Sequence, residues 1–220
     1  MRKFVSGIGI VLILFGFTTS AYAQTTATRP GQIKREVVKE RVETRKEIIA
    51  DRKENITTKL DGLKIRIASK EASLKLRLNK FKDKTKALIV EKVSTVLNNI
   101  NENRVTHSNR FLENASRILN KLQERVSNAA SNGKDAASAN AAISSARAKI
   151  ASASAAVASQ SAKEYTLSVS SESAAKAEIK ATRDAFHGDW QSVRALLIDA
   201  KQAVANAIRV AATTLGGDNP

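Results

Sequence analysis

The sequence contains no cysteine, only two prolines and nine glycines, and just 4% aromatic residues. Without cysteine, the chain has no disulfide, thiolate metal site, cysteine nucleophile or cysteine-linked lipid anchor. The scarcity of proline, glycine and aromatic residues, beside abundant alanine, lysine, serine and leucine, indicates an all-α chain with little thick globular core. Its stability must therefore come from helix packing.

The charge of the chain is strongly positive. The 220 residues include 37 Lys and Arg against 21 Asp and Glu, which gives a formal net charge of +16 and an isoelectric point near 10.2. This excess admits an acidic partner, namely nucleic acid, an anionic membrane surface, an anionic wall polymer or an acidic protein. Charge alone does not select among these partners.

The sequence carries no motif of a catalytic or metal site. His107 and His187 are the only histidines, and neither has a second histidine or a carboxylate cluster at helical ligand spacing. Most carboxylates stand three or four positions from a basic residue, no Gly-x-Ser-x-Gly elbow frames a serine, and no glycine-rich phosphate loop is present. We therefore expect no enzyme, no cofactor, no metal and no small-molecule substrate.

Residues 1–23 have the order of a secretory signal peptide. A basic start precedes an apolar run from Phe4 to Phe17, and the small-residue cleavage site Ala21-Tyr22-Ala23 follows. The apolar run is shorter than the roughly 20 residues needed to span a bilayer, so an uncleaved anchor is the less favoured alternative. We expect an exported protein, whether secreted, periplasmic or attached to the cell surface, with a polar leader over residues 24–31.

Residues 32–92 are predicted to form a long, coiled-coil-like helical arm. Apolar residues recur every seven positions along it, which indicates a helix with an apolar association seam. The candidate seam consists of Leu60, Ile67, Leu74, Phe81 and Leu88. Two alternatives stay open, because Asp61-Gly62 has the composition of a turn and the alternating residues on either side of Ser69–Ser73 fit a hairpin of strands. A bend is also expected near Lys70, where the seam changes phase.

Positive charge is concentrated in the second half of this arm. Ten basic residues stand there against three carboxylates, which makes this stretch the candidate polyanion-binding surface. The ten residues are Lys59, Lys64, Arg66, Lys70, Lys75, Arg77, Lys80, Lys82, Lys84 and Lys86. Phe81 is the one aromatic residue in residues 59–86, so the stretch offers few side chains on which bases could stack. Nucleic acid would therefore be bound through its phosphate backbone, without sequence preference. The alternative is a solvated helix face without a ligand.

Residues 93–215 are predicted to form an antiparallel three-helix bundle, and residues 216–220 a disordered tail. Gly133 suits the left-handed end of the first helix and Asp135 the N-cap of the second, and so short a link makes the two helices antiparallel. The alternating residues Tyr165–Ser170 predict an extended connector before the third helix, which Ser171 is expected to cap with Glu172 in its first turn.

Sevenfold apolar series predict the core of this bundle. The predicted core residues are Leu112, Leu119, Val126, Ile143, Ile150, Val157, Ile179, Phe186, Trp190, Val193, Leu197 and Val204. The second helix consists mostly of alanine and serine, and Ala139, Ala146 and Ala153 alternate there with the larger core residues. This low-complexity segment is therefore interpreted as a tightly packed helix rather than a linker. The asparagine-rich stretch Asn98–Asn109 is expected to kink the first helix or to mark a domain boundary, because asparagine is a weak helix former.

Several motifs in this part of the chain are distinctive. They are Lys84-Thr-Lys-Ala-Leu-Ile-Val-Glu-Lys-Val93, Leu97-Asn-Asn-Ile-Asn-Glu-Asn-Arg104, the Asn132-Gly-Lys-Asp135 turn, Tyr165-Thr-Leu-Ser-Val169 and Asp199-Ala-Lys-Gln-Ala-Val204. Together with the alanine-rich helix they resemble a group of exported helical proteins from the ultra-small, reduced-genome bacteria of the candidate phyla radiation. The resemblance covers residues 84 to 215. It implies an exported helical protein and assigns no functional residue.

These expectations favour a non-enzymatic structural or adaptor protein of the cell envelope or exterior. It would act through helix–helix association, with itself or with another helical protein. One alternative is a module that binds DNA, an anionic wall polymer or lipid headgroups through the basic arm. Another is an exported holdase chaperone, by analogy with basic periplasmic chaperones that have long helical tentacles.

We predict that the exported protein begins at Gln24, because the basic, apolar and small-residue segments occur in signal-peptide order. Intact-mass analysis of the exported protein should give the mass of residues 24–220. A variant with Ala23→Trp should keep the segment, since the cleavage position requires a small residue. A wild-type mass that retains Met1 would contradict the prediction.

Overall fold

The computed structural model describes residues 30–216, without some of the side chains between 31 and 52. In this range the chain forms four helices and no strand, so the all-α prediction is confirmed. The helices are α1 (Pro30–Leu78), α2 (Lys84–Ser131), α3 (Ala137–Gln160) and α4 (Ala175–Gly216). The predicted signal peptide, most of the polar leader and the last four residues of the tail lie outside the described residues.

Helices α2, α3 and α4 pack against one another as a bundle. The α2–α3 pair is antiparallel, since Gln123 near the end of α2 bonds Asn140 near the start of α3 (2.8 Å), whereas Asn101 bonds Gln160 (2.9 Å) at the opposite end. Of the twelve predicted core residues, ten are buried, and Ile179 and Leu197 are half-buried. Each fully buried large apolar side chain contributes about 1.5–3 kcal/mol.

The turn between α2 and α3 uses the predicted glycine. Gly133 has φ +87°, the left-handed conformation that glycine adopts without steric cost. The prediction that Asp135 is the N-cap of α3 is wrong by one position, because Ala136 occupies the N-cap. The Asp135 carboxylate instead accepts a hydrogen bond from the Ala137 N–H (2.9 Å), a turn that aspartate forms with the backbone two residues on.

The alanine-rich segment is a packed helix. Ala139, Ala146 and Ala153 of α3 are completely buried in the main core, on the same face as the larger apolar residues of that helix. Side chains this small let α3 approach α2 and α4 closely. The helix therefore depends on its neighbours rather than on the intrinsic helicity of its many serines.

The predicted arm is two antiparallel helices rather than one. Helix α1 ends at Leu78, residues 79–83 form a turn, and α2 begins at Lys84. Three contacts join α1 to α2 in opposite directions along the chain. They are Lys75–Glu91 (3.1 Å), Glu71–Thr95 (3.2 Å) and Lys64–Glu102 (2.7 Å). The second half of α1 therefore lies along α2, whereas a continuous helix through Lys92 was expected to project from the bundle.

The position of this turn follows from local packing and capping. Asp83 caps α2 by accepting from the Lys86 N–H (3.1 Å), and Phe81 in the turn is buried beside Leu74 and Val90. Neither turn left open by the sequence is present, because Gly62 and Ser69–Ser73 both lie inside α1. Helix α1 is also unbroken at Lys70, where a bend or stutter is expected from the change of phase.

Residues 161–174 connect α3 to α4, and residues 163–171 among them are neither helix nor strand. Tyr165, Leu167 and Val169 are buried, with exposed or half-buried residues between them. Helix α4 begins at Ala175, three residues later than the helix start expected at Glu172. Ser171 accepts from the Ala174 N–H (3.3 Å) just before it.

The asparagine-rich stretch is neither a break nor a boundary, because α2 is helical throughout it. Asn98 and Asn101 are buried and bond the connector. The Asn98 side chain accepts from the Tyr165 N–H (2.8 Å), and the Asn101 amide donates to the Lys163 carbonyl (3.0 Å). Their weak helix propensity is outweighed by tertiary hydrogen bonds to backbone that has no strand partner.

Enlarging the alanine face of α3 should destabilise the protein. Replacing Ala146 or Ala153 by Leu forces extra methylenes between packed helices and should lower the free energy of unfolding by about 1–3 kcal/mol. The matched control is Ala151→Leu on the exposed face of the same helix, which should be nearly neutral. Urea unfolding of the three variants measures the difference, and equal stabilities would contradict tight packing.

Candidate functional site: the α1–α2 hairpin

The predicted association seam is mostly used inside the chain. Leu74 and Phe81 are buried at 1% and 7% exposure, Leu60 is half-buried against the main core, and Ile67 is half-buried. Leu88 lies on α2 and is 64% exposed. The turn at residues 79–83, which contains Phe81, separates it from Leu60, Ile67 and Leu74 on α1, so the five residues do not form one exposed seam. This expectation is corrected.

Most of the ten candidate basic residues have partners within the chain. Four are in ion pairs, namely Lys64–Glu102, Lys70–Glu164, Lys75–Glu91 and Lys86 with both Asp83 and Glu172. Three donate to neutral oxygens, namely Arg66 to the Ala162 carbonyl, Arg77 to the Ser168 hydroxyl and Lys84 to the Asn79 carbonyl. The side chains of Lys59, Lys80 and Lys82 are exposed and take part in none of the ion pairs formed among the described side chains. These ion pairs are at the surface, so each contributes at most about 1 kcal/mol.

Unbalanced positive charge remains at one end of the hairpin. We call residues 75–92 the hairpin tip; it comprises the last turn of α1, the connecting turn and the first turns of α2. It contains seven Lys and Arg and two carboxylates, so the net charge of this segment alone is +5, and one further carboxylate, Glu172 of the connector, pairs with Lys86 beside it. Lys80 and Lys82 in the turn and Lys84 at the start of α2 are all exposed. The tip therefore attracts anionic groups.

An uncharged apolar face lies beside this charge. On α1, Ile65 and Leu76 are 74% and 69% exposed, and they are three helical turns apart on one side of the helix. On α2, Leu88, Ile89 and Val96 are exposed as well. These five are among nine large apolar residues exposed in the described part of the chain, so more than half of them lie within 32 residues.

The exposed residues of both helices point to the same side of the hairpin. On α1, Leu74 lies in the core, Lys75 forms the ion pair with α2 and Leu76 lies at the surface. On α2, Val90 lies in the core, Glu91 forms the same ion pair and Lys92 lies at the surface. Because the helices are antiparallel, the two surface positions lie on one common side. We call it the outer hairpin face, and it consists of Ile65, Ser69, Ala72, Leu76, Leu88, Ile89, Lys92 and Val96.

A buried polar network fixes the part of the bundle behind the hairpin. The Asn101 side-chain oxygen accepts from the Trp190 indole N–H (3.0 Å) and from the Gln160 amide (2.9 Å). Gln160 also donates to the Tyr165 hydroxyl (2.6 Å), which donates to the Asp189 carboxylate (2.7 Å). These five residues join α2, α3, the connector and α4, and their buried polar groups form hydrogen bonds with one another.

The charges in this network are set by burial and hydrogen bonding. Burial raises the pKa of Tyr165 above its ordinary value, and the hydrogen bond to Asp189 acts in the same direction. Burial also acts to raise the pKa of Asp189, but hydrogen bonds from Lys163 (2.6 Å) and Tyr165 outweigh it and hold that pKa below its ordinary value. The hydroxyl is therefore a neutral donor and the carboxylate a charged acceptor.

The sequence reasoning missed the residues of this network. It identified Trp190 as a core residue and Tyr165 as part of an extended connector, but it gave no role to Asn101, Gln160 or Asp189. The asparagines were a visible signal, since buried asparagine inside an apolar helix pattern requires a partner. The identity of that partner depends on tertiary contacts between residues about 60 to 90 positions apart.

No cluster of three or more histidine and carboxylate side chains suited to a metal ion occurs among residues 30–216. Within the same range, no helix combines the length and the hydropathy that crossing a membrane requires. Comparison of the chain with protein-family models, with curated proteins and with solved structures finds no match.

Tyr165 should resist ionisation in the folded protein. A chain that begins at Gln24 contains no other tyrosine, so absorbance at 295 nm reports this hydroxyl alone. Its raised pKa stabilises the fold below the unfolded pKa of about 10, and this contribution is lost as the pH rises above that value. We therefore expect no absorbance change in the native protein near pH 10, and a midpoint near 10 in urea.

The matching substitution is Tyr165→Phe, which leaves Asp189 and Gln160 without the hydroxyl. It should abolish the 295 nm signal and lower the free energy of unfolding by about 1–3 kcal/mol. A native midpoint at the same pH as in urea would contradict the proposed burial and hydrogen bonding of Tyr165.

Proposed function

We propose that this protein is an exported, non-enzymatic helical adaptor of the cell envelope or exterior, which binds an anionic partner surface through its hairpin tip. The observation that carries the proposal is the net charge of +5 on residues 75–92, with Lys80 and Lys82 exposed in the turn and Lys84 exposed at the start of α2. Clustered cations on a rigid hairpin attract anions at long range and hold them at close range.

The burial of Leu74 and Phe81 moves the proposed contact surface away from the predicted helix–helix seam. Those side chains stabilise the hairpin itself and are therefore poor anchors for a partner helix. The holdase alternative has less support for a related reason: its analogy rests on free helical tentacles, whereas the second half of α1 lies along α2.

Removing charge from the tip should weaken binding to a polyanion. The variant Lys80→Gln, Lys82→Gln, Lys84→Gln removes three exposed positive charges from the tip. With duplex DNA as a polyanion of defined charge spacing, it should bind more weakly. The slope of log K against log salt should flatten by about 0.9 for each phosphate that the variant no longer neutralises. Titrations by fluorescence anisotropy at several salt concentrations measure both effects.

The matched control removes the same charge at a distance from the tip. Lys121→Gln, Arg125→Gln, Lys201→Gln changes three exposed basic residues on α2 and α4. It should retain affinity and salt slope close to wild type. Equal weakening in both variants would show that the whole basic surface attracts DNA without a defined site, and the proposed function of the tip would then be wrong.

A further inference from the structure

We propose that the anionic surface is a lipid bilayer, on which the outer hairpin face lies with Leu76, Leu88 and Ile89 in the interface and the lysines of the tip on lipid phosphates. This inference rests on the proposed function, because it names the partner of the same surface. It adds an apolar interaction that attraction between charges does not supply.

The apolar side chains are the first reason. The outer hairpin face has one charged residue, Lys92, in a chain in which 26% of residues are charged. Leu76 and Leu88 leave about two thirds of their surface in water, and Ile89 about half. A concentration of exposed apolar residues with a polar rim is typical of a surface that another phase or molecule covers.

The arrangement of the charges is the second reason. The exposed lysines at residues 80, 82 and 84 and the paired Lys75 and Lys86 lie in the chain between or beside Leu76 and Leu88, within the same hairpin tip. A helical surface with apolar residues in the centre and Lys or Arg beside them is the pattern of proteins that lie in the plane of an anionic membrane. Each basic residue near an anionic membrane surface increases the protein's affinity for that membrane.

Charge also argues against the other occupants of this face. A second copy docked tip to tip through the same face would place a charge of +5 against another charge of +5. Nucleic acid would satisfy the lysines but would leave the leucines uncovered. Phe81, the aromatic residue that could stack on a base, is buried in the hairpin. An anionic bilayer matches both the charge and the apolar side chains.

The experiment uses the chain from Gln24 to Pro220 with vesicles of phosphatidylcholine alone or with one quarter phosphatidylglycerol, and measures binding by co-sedimentation. The wild type should bind the anionic vesicles and not the neutral ones. Leu76→Ser, Leu88→Ser, Ile89→Ser should reduce the partition coefficient by about 10-fold or more, because serine side chains gain little from entering the interface. The triple glutamine variant of the tip should reduce it on the order of 100-fold.

The chain offers a matched control for the apolar variant. Ile118, Ile198 and Ile208 are exposed at 43–45% on α2 and α4, away from the tip. Their replacement by Ser should change the partition coefficient less than twofold. Circular dichroism and thermal unfolding check that both triple variants keep the wild-type fold, which is expected because all six positions are exposed.

A depth probe tests insertion directly. Leu88→Trp should show a blue-shifted emission with anionic vesicles and quenching by brominated acyl chains, whereas Ile198→Trp should show neither. Trp190 is buried and contributes a constant background. Insertion of residue 88 is a signature that purely electrostatic binding does not produce.

The outcomes separate this inference from the proposed function. If the serine variant of the outer hairpin face binds anionic vesicles like wild type and Leu88→Trp is not quenched, while the glutamine variant loses binding, the bilayer inference is wrong and the anionic adaptor remains. If the glutamine variant binds vesicles and DNA like its control, both proposals fail. Wild-type binding to duplex DNA without binding to vesicles would assign nucleic acid as the partner and overturn the inference.

Discussion

The fold depends on how an extended connector is accommodated between helices. Residues 163–169 have no strand partner, so their buried backbone groups need donors and acceptors from elsewhere. Helix α2 supplies them through Ser94, Asn98 and Asn101, which bond the connector backbone at Leu167, Tyr165 and Lys163. Asn101 also bonds Trp190, so the same side chain fixes α4. Leaving such a buried polar group unsatisfied would cost about 1–3 kcal/mol, which makes this register of the helices specific.

The position of the connector in turn determines the hairpin. With its backbone bonded to α2, the connector presents Leu167 and Val169 to the end of α1, where they form a second small core with Leu74, Leu78 and Phe81. Glu172 accepts from the Lys82 N–H (2.9 Å) and completes the turn. A continuous helix through residues 79–83 would carry Phe81 away from these neighbours. The turn is therefore a consequence of tertiary packing, although Asp83 makes it locally favourable.

Sequence reasoning recovered what periodicity encodes. The three bundle helices, the turn at Gly133 and the buried alanines of α3 follow from heptad spacing and from glycine's conformational freedom. It failed where one heptad series crosses a turn: Leu74 and Leu88 are in phase along the sequence but lie on different helices, one buried and one exposed. A sevenfold repeat of apolar residues cannot distinguish one long helix from two antiparallel helices that bury the same series of apolar residues. The polar network was beyond reach because its partners are distant in sequence.

The alternation that suggested strands also explains why the outer hairpin face exists. In Leu63-Lys-Ile65 and Leu74-Lys-Leu76, the first residue is buried, the lysine pairs with α2 and the third residue is exposed. Residues two positions apart on a helix are separated by about 200°, so a helix that packs on one side cannot bury both. The core needs only the first residue of each pair. The second adds nothing to the core and exposes apolar surface to water on the side of the hairpin that carries five of the nine exposed large apolar residues in the described part of the chain. Selection for stability or solubility alone would favour a polar residue at Ile65 and Leu76, and this is the physical ground for assigning that surface to a partner outside the chain.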